Sequence, residues 1–325
     1  MSRTPDISFC MIVRNGARTM PACLQSVSPV ADELIVVDTG STDDSRAVAR
    51  SYGAKVLEVP WPHDFAAARN EYLKAARCQW VLSLDADEIL DPVERQALQR
   101  LLISRGDSGF VFTIRNYFFV RAGAKPSRIE LEGMALPGIG YTTSRTVRLL
   151  PRRPGLVYRY PVHESLIPAL QEQRIPLRLS PIPIHHMGRL YEQHDQGAKA
   201  AAYRELGFKK IAQFPDYFLG HLELGQVLLR DGDLEQAQRL FEACVRLDPS
   251  YAKAYYYLAL TCVRRHQYDP AVRALRHGLR ISPRHPALRE LRATVERTRA
   301  AASRQHRGWL RWWCRGDRTE SQLPQ

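Results

Sequence analysis

The sequence predicts two domains: an α/β domain on a mainly parallel sheet, then an all-α domain of helical repeats. Two observations predict this. Short apolar segments alternate with helix-like segments through the first hundred residues, the signature of βαβ units. Farther on, Pro215, Pro249 and Pro283 recur at intervals of 34 residues within helix-like sequence. A chain of 325 residues is long enough for both parts.

The elements follow in order. Residues 6–13 (DISFCMIV) and 33–38 (ELIVVD) read as strands, the second ending on Asp38. Residues 42–53 read as a helix, with Thr42 or Asp43 as cap and Gly53 as stop. Residues 54–60 form a third strand, ended by Pro60, and 64–78 a second helix. Residues 80–85 (WVLSLD) are the next strand, and 91–104 a helix capped by Asp91 with Pro92 in its first turn. Beyond Gly109 the pattern changes to longer β-branched and aromatic segments at 109–120, 143–150, 155–165 and 174–186. The Gly-rich stretch 132–143 between them reads as a mobile loop.

After about Arg189 the sequence is helical. Leu224 recurs as Leu258, Gly225 as Ala259, Ala237 as Ala271 and Phe241 as Leu275, each at the 34-residue offset. That period, with small residues where helices cross, resembles tetratricopeptide repeats. Two full repeats span 217–283, with a preceding helix from Tyr191 and a following one from Pro286 as caps. The expected domains are 1–189, 190–300 and a basic, Trp-rich tail, 301–325.

Composition narrows the setting. No apolar run approaches the ~20 residues of a membrane span, and residues 1–13 lack the pattern of a signal peptide. The six cysteines are scattered, with no C-x-x-C pair, so they read as reduced packing residues and the cytoplasm is the expected compartment. Net charge is +13, and residues 264–318 hold fifteen arginines against four acids. Such a surface attracts anionic partners. In the tail, Trp309, Trp312 and Trp313 among arginines suit either peripheral contact with the inner face of an anionic membrane or packing on the repeats. No nucleic-acid-reading motif accompanies the charge.

The chemistry gathers at strand ends. Residues 80–90 drive an apolar strand into Asp85, Asp87 and Glu88, and three acids so close require positive charge beside them. Asp85-x-Asp87 can present carboxylate oxygens to one hard cation, Mn²⁺ or Mg²⁺. Asp38, in VVDTGSTDDS, can accept hydrogen bonds from a nucleobase or ribose, and Gly40 permits close backbone approach.

The order of 7–27 (ISFCMIVRNGARTMPACLQSV), 33–45 (ELIVVDTGSTDDS) and 64–88 (DFAAARNEYLKAARCQWVLSLDADE) resembles the nucleotide-binding half of inverting family 2 glycosyltransferases, whose Rossmann-like fold is called GT-A. The likeness is close over about 6–110 and looser to about 190. Thr39 departs from it, because many relatives carry a second acid there. The resemblance implies a nucleoside-diphosphate-sugar donor, UDP-sugar foremost, and a glycan or protein acceptor. It implies Met11 and Val13 lining the nucleotide pocket mainly through backbone, Asp38 on the base, Asp85 on ribose or metal, and Asp87 on the metal. Arg69 and Asn70 match an Arg-Asn pair of closer relatives, either touching ligand or propping the acids. An inverting transfer needs one base to deprotonate the acceptor. Glu164 is the first candidate and His163 the second, in a His-Glu pair that closer relatives share. His186, or its neighbour His185, is a further metal-ligand or diphosphate-donor candidate. The repeats imply a protein partner or a guided acceptor. Two rival readings are a nucleotidyltransferase, for which MIVRNGARTM is a poor phosphate loop, and a non-catalytic peptide-binding scaffold.

Overall fold

The computed structural model describes residues 6–90, 95–104, 107–119, 133–136, 138–191 and 196–299. The chain divides into two compact units after Gln196.

The first unit is a nine-stranded sheet flanked by helices. Its strands are β1 (Ile7–Val13), β2 (Glu33–Asp38), β3 (Lys55–Glu58), β4 (Trp80–Ser83), β5 (Glu88–Ile89), β6 (Gly109–Phe119), β7 (Gly133–Leu136), β8 (Ile139–Pro151) and β9 (Leu177–His186). They run in the order β3-β2-β1-β4-β8-β6-β9-β5, with β7 paired to β8. The first four are parallel. β8 joins antiparallel to both β4 and β6, β6 and β9 are parallel, and β5 returns antiparallel on β9. Chain order reverses between β1 and β4, and such switch points open a crevice at the strands' carboxyl ends.

Side-chain alternation along β1 builds two cores. Phe9 and Met11 face one way with Leu82, under α1 (Met20–Val27) and α4 (Arg95–Ser104). Cys10 faces the other way with Ile35, Val37 and Val81, under Tyr72 of α3 (Phe65–Ala75) and Ala169 and Leu170 of α5 (Ile167–Glu172). The helix α2 (Ser45–Ser51) follows β2, and Asp43 accepts hydrogen bonds from the Ser45 N–H and hydroxyl at its start. Asp64 caps α3 by accepting from the Ala67 N–H. The expected cap of α4, Asp91 and Pro92, lies outside the described residues, as does the 301–325 tail.

Two expectations are corrected. The Gly-rich stretch 132–143, read as a loop, holds β7 and the start of β8 over 133–136 and 139–143: Gly133 pairs with Tyr141 and Leu136 with Ile139. Gly138, at φ +79°, makes the turn between them. Conversely, 155–165, read as a strand, forms turns with one bridge between Arg159 and Ser165. Pro161 has no N–H to give a ladder, and Tyr160 and His163 adopt left-handed φ of +76° and +49°.

A short α6 (Gly188–Tyr191) follows β9, and the second unit is helical: α7 (Gln196–Gln213), α8 (Phe218–Asp231), α9 (Leu234–Leu247), α10 (Ala252–Arg264), α11 (Tyr268–Ile281) and a last helix, 286–299. α8 and α10 begin 34 residues apart, as do α9 and α11, so the sequence period is the structural period. The left-handed residue that ends α8, Gly232, recurs as His266 after α10. Gly225 lets α8 approach α9 closely, because a Cβ there would lie 2.7 Å from the buried Phe241 ring.

Candidate active site

The acids stand at or just past the carboxyl ends of β2 and β4, each held differently. Asp38 is buried at the end of β2. Its Oδ1 accepts hydrogen bonds from the N–H groups of Gly40 and Ser41, at 3.1 and 3.0 Å. Its Oδ2 is buried with no hydrogen-bond partner among the described residues. An orphaned buried carboxylate oxygen is costly. The neighbouring turn is built to hold it. Asn15, at φ +56°, accepts from the Thr42 N–H, and Ser45 accepts from the Gly16 N–H. Met11 and Val13 turn their side chains into the core, and the Val13 carbonyl accepts from both the N–H and hydroxyl of Thr39.

Just past β4 lies a chain of alternating charge in which Arg69, Arg148 and Glu88 are buried and Asp85 is partly exposed. The Arg69 Nη2 of α3 donates to Asp85 Oδ1 at 2.7 Å, and its Nε donates to Glu164 Oε1 at 2.6 Å. Arg148 of β8 donates to Asp85 Oδ2 at 2.8 Å and to Glu88 Oε1 at 2.5 Å. Glu88 accepts the Asp85 N–H, which fixes the turn between β4 and β5. Both arginines are buried. Burial alone would raise the Asp85 pKa, but Arg148 and then Arg69 overcome it and hold the carboxyl well below the usual carboxylate range. Burial pushes Glu88 up, with Arg148 opposing and Asp85 reinforcing. Three carboxylates thus share two guanidiniums, and Asp87 adds a fourth carboxylate nearby.

Asp87 stands apart from the arginines. Its Oδ2 lies 3.2 Å from His186 Nε2, and the other His186 nitrogen lies 2.8 Å from Asn116 Oδ1. Both side chains are about a third exposed, at 31% for Asp87 and 29% for His186. Burial works against a charge on His186, but the hydrogen bond and charge of Asp87, with Glu88 and Asp85 behind, outweigh it and raise its pKa. The register of β5, β9 and β6 produces this meeting, since Glu88 pairs with His186 and His186 with Asn116. Gly188 keeps a space over the pair: a Cβ there would sit 2.4 Å from Asp87 Oδ2 and 2.7 Å from His186 Nε2. His185 points elsewhere, stacked on Tyr117 and hydrogen-bonded to its hydroxyl at 2.7 Å.

Glu164 arrives from 95 residues beyond Arg69 in sequence, carried by the irregular 155–165 segment. Asn70 anchors that segment by exchanging two hydrogen bonds with the Tyr158 backbone, at 3.0 and 2.8 Å. The Pro161 carbonyl accepts the Phe65 N–H at the start of α3. Arg69 and Asn70 therefore both join α3 to this segment. Glu164 Oε2 has no protein hydrogen bond among the described residues. His163, next to it, is exposed.

Sequence reasoning missed Arg148 and the part played by Glu88. A signal for Arg148 existed: a charged residue inside the apolar run Val147 to Leu150 demands acids across the sheet.

Residues 8–158 match the model of glycosyl transferase family 2. Over those residues the sheet unit is similar to that family. Residues 209–295 match the tetratricopeptide repeat. A TPR repeat-containing protein of Synechococcus elongatus is 34% identical over 278 residues, which cover 82% of this chain and 64% of that protein. An uncharacterized glycosyltransferase of Rickettsia conorii is 31% identical over 128 residues, 38% of this chain and 44% of that protein. The SPbeta prophage-derived glycosyltransferase SunS of Bacillus subtilis is 33% identical over 90 residues, 27% of this chain and 21% of that protein. The chain thus spans less than two thirds of the length of each of these relatives. The fold is GT-A followed by helical repeats, and among the described residues no helix is long and apolar enough to cross a membrane.

Proposed function

We propose that the protein is a metal-dependent, inverting glycosyltransferase that moves a sugar from a nucleoside diphosphate to an acceptor guided by the helical repeats. The observation that carries this reading is the bridge through Arg69. It ties a strand-end acid of the family 2 half, Asp85, to an acid from the second half, Glu164, through one buried guanidinium.

The roles divide by environment. Asp38 offers its unpartnered Oδ2 to an N–H or hydroxyl of the nucleoside. Met11 and Val13 contribute backbone alone, since their side chains belong to the core. Asp85, saturated by two arginines, supports the ribose side and fixes the arginines. Asp87 and His186 fit a divalent cation. They are an oxygen and an imidazole donor side by side, partly exposed, beside an excess of carboxylate and with room over Gly188. Mn²⁺ or Mg²⁺ bound there supplies positive charge for the departing diphosphate. Glu164, aimed by Arg69 through Oε1, presents Oε2 to take the acceptor's proton, and His163 is the alternative base. Arg69 and Asn70 act as positioning residues.

The test is release of nucleoside diphosphate from a panel of UDP-, GDP- and dTDP-sugars with Mn²⁺. Wild type is compared with Asp87→Ala and Glu164→Gln. Metal-dependent turnover of one donor, lost in Asp87→Ala, is the expected result. Equal turnover in wild type and Asp87→Ala, or none from any donor with no nucleotide binding, overturns the reading.

A further inference from the structure

On the helical unit, a cavity of about 650 Å³ is lined by Arg273, Arg276, His277, Leu279 and Arg280 of α11 and Arg292 of the last helix. Its chemistry differs from an ordinary solvated helix face in three ways. First, Arg273, Arg276 and Arg280 follow helical spacing, so they share one face, while Ala271, Ala274, Leu275 and Gly278 pack the opposite one. Second, none of these three arginines has a carboxylate within salt-bridge reach among the described residues. Elsewhere in the unit Arg204 reaches Asp231 and Asp233, Arg239 reaches Glu235 and Arg299 reaches Asp269. In the cavity only Arg292 has an acid, Glu296, at 3.6 Å. Third, one member of the cluster is held in place. The His277 ring stacks on the Tyr255 ring at 5.8 Å, and Arg280 donates to His277 Nδ1 at 2.5 Å.

We propose that this cavity is a binding site for a phosphate or diphosphate group. Arginine's planar fork matches phosphate oxygens two at a time, and no lysine occurs beyond Lys253 to supply a point charge instead. A concave site with several cations and no lining acid selects a ligand of two or more negative charges. The volume accommodates a phosphate carrying an organic group. The group comes from a soluble phosphate compound or from a lipid headgroup, and the assay separates the two. The site stands independently of the transferase reading.

The full-length protein is titrated calorimetrically with inorganic pyrophosphate in EDTA, so that no cation bridges the ligand to Asp87. In parallel it is sedimented with vesicles of phosphatidylcholine, with and without phosphatidic acid. The variants are the double Arg276→Ala/Arg280→Ala, the single Arg276→Ala, and Arg239→Ala as a paired-arginine control. All three positions are exposed, and matching melting curves establish that the folds are intact. The expected result is binding that weakens roughly tenfold or more in the double variant, less in the single, and is unchanged in Arg239→Ala. Pyrophosphate binding without vesicle binding identifies a soluble ligand. Vesicle binding that requires phosphatidic acid identifies a lipid headgroup. Absence of both, or binding equal in the double variant and wild type, overturns the proposal.

Discussion

The two units bury charge to different extents. In the sheet unit, Arg69, Asp85, Arg148 and Glu88 are drawn together at the end of β4 and linked through their charges, with both arginines and Glu88 buried. In the repeat unit the interior is Leu224, Ala237, Phe241, Ala254 and their equivalents, with one buried cation, Lys210, donating to Glu223 at 2.7 Å. A buried ion pair is no bargain against a well-packed apolar contact, because desolvation cancels much of the attraction. The contrast is one of extent: the sheet unit links two buried arginines to several acids at one strand end, whereas the repeat unit buries the single Lys210 against a partly exposed Glu223.

The largest expected effect comes from breaking the buried network. Arg148→Met leaves Asp85 and Glu88 facing each other with half their compensation gone. Removing one member of a buried pair costs about 3–5 kcal/mol. Urea denaturation is expected to show a loss of that size. A loss under ~1 kcal/mol would mean that water already screens the network, and the contrast between the units would fail.

Next in size is one substitution made in both units. Gly225→Ala puts a methyl 2.7 Å from the Phe241 ring in the packed core of the repeats. Overpacking of this kind costs about 1–3 kcal/mol, with no effect on donor turnover beyond what unfolding explains. Gly188→Ala puts a methyl 2.4 Å from Asp87 Oδ2, beside partly exposed side chains that can shift. Its expected signature is the reverse: little change in melting, but a weaker response of turnover to Mn²⁺. If both variants lose stability equally, the space over Gly188 is packing and not a cradle.

How much of this was legible in advance follows the same division. The repeats announce themselves, because a 34-residue period is local and redundant: Pro249 and Pro283, or Gly225 and Ala259, each restate it. The strands β1, β2 and β4 were legible as apolar runs, and Asp38, Asp85 and Asp87 as acids at their ends. What stayed hidden was non-local. The acids required positive charge, and a metal was the expected source; the structure supplies two arginines first, one of them inside an apolar strand 60 residues or more away. The helix α1 was missed although Pro21 opens it and Met20, Cys23, Leu24 and Val27 recur at helical spacing, because no side chain caps it. The segment 155–165 carries strand-like residues yet forms turns, since Asn70 and α3 claim its backbone hydrogen bonds. β-propensity cannot register a partner 88 residues away.

That anchoring gives a third prediction, of similar size. Asn70→Ala removes two hydrogen bonds to the Tyr158 backbone, each worth about 0.5–1.5 kcal/mol. Stability is expected to fall by about 1–3 kcal/mol for the two together. If Asn70 positions Glu164, kcat falls further than stability accounts for while the donor KM holds, because the base is displaced and the donor site is not. A rise in KM with kcat unchanged would instead put Asn70 at the donor.

The smallest effect belongs to the repeat surface, and it sharpens the contrast because it involves the same pair of residue types. Glu235 and Arg239 meet one turn apart on α9, and both are exposed. Glu235→Gln keeps the length and hydrogen-bonding capacity of the side chain and removes its charge. In water such a pair contributes about 0.3–0.5 kcal/mol, and salt screens it further. Chemical denaturation at low and moderate ionic strength is expected to show a loss within that range, shrinking as salt is added. Arg148→Met, by comparison, is expected to keep its full cost across the same salt series, because ions do not reach Glu88. An arginine and a glutamate a few ångströms apart are present in both places, so the tenfold difference in expected cost follows from burial together with the second acid, Asp85, that Arg148 also holds.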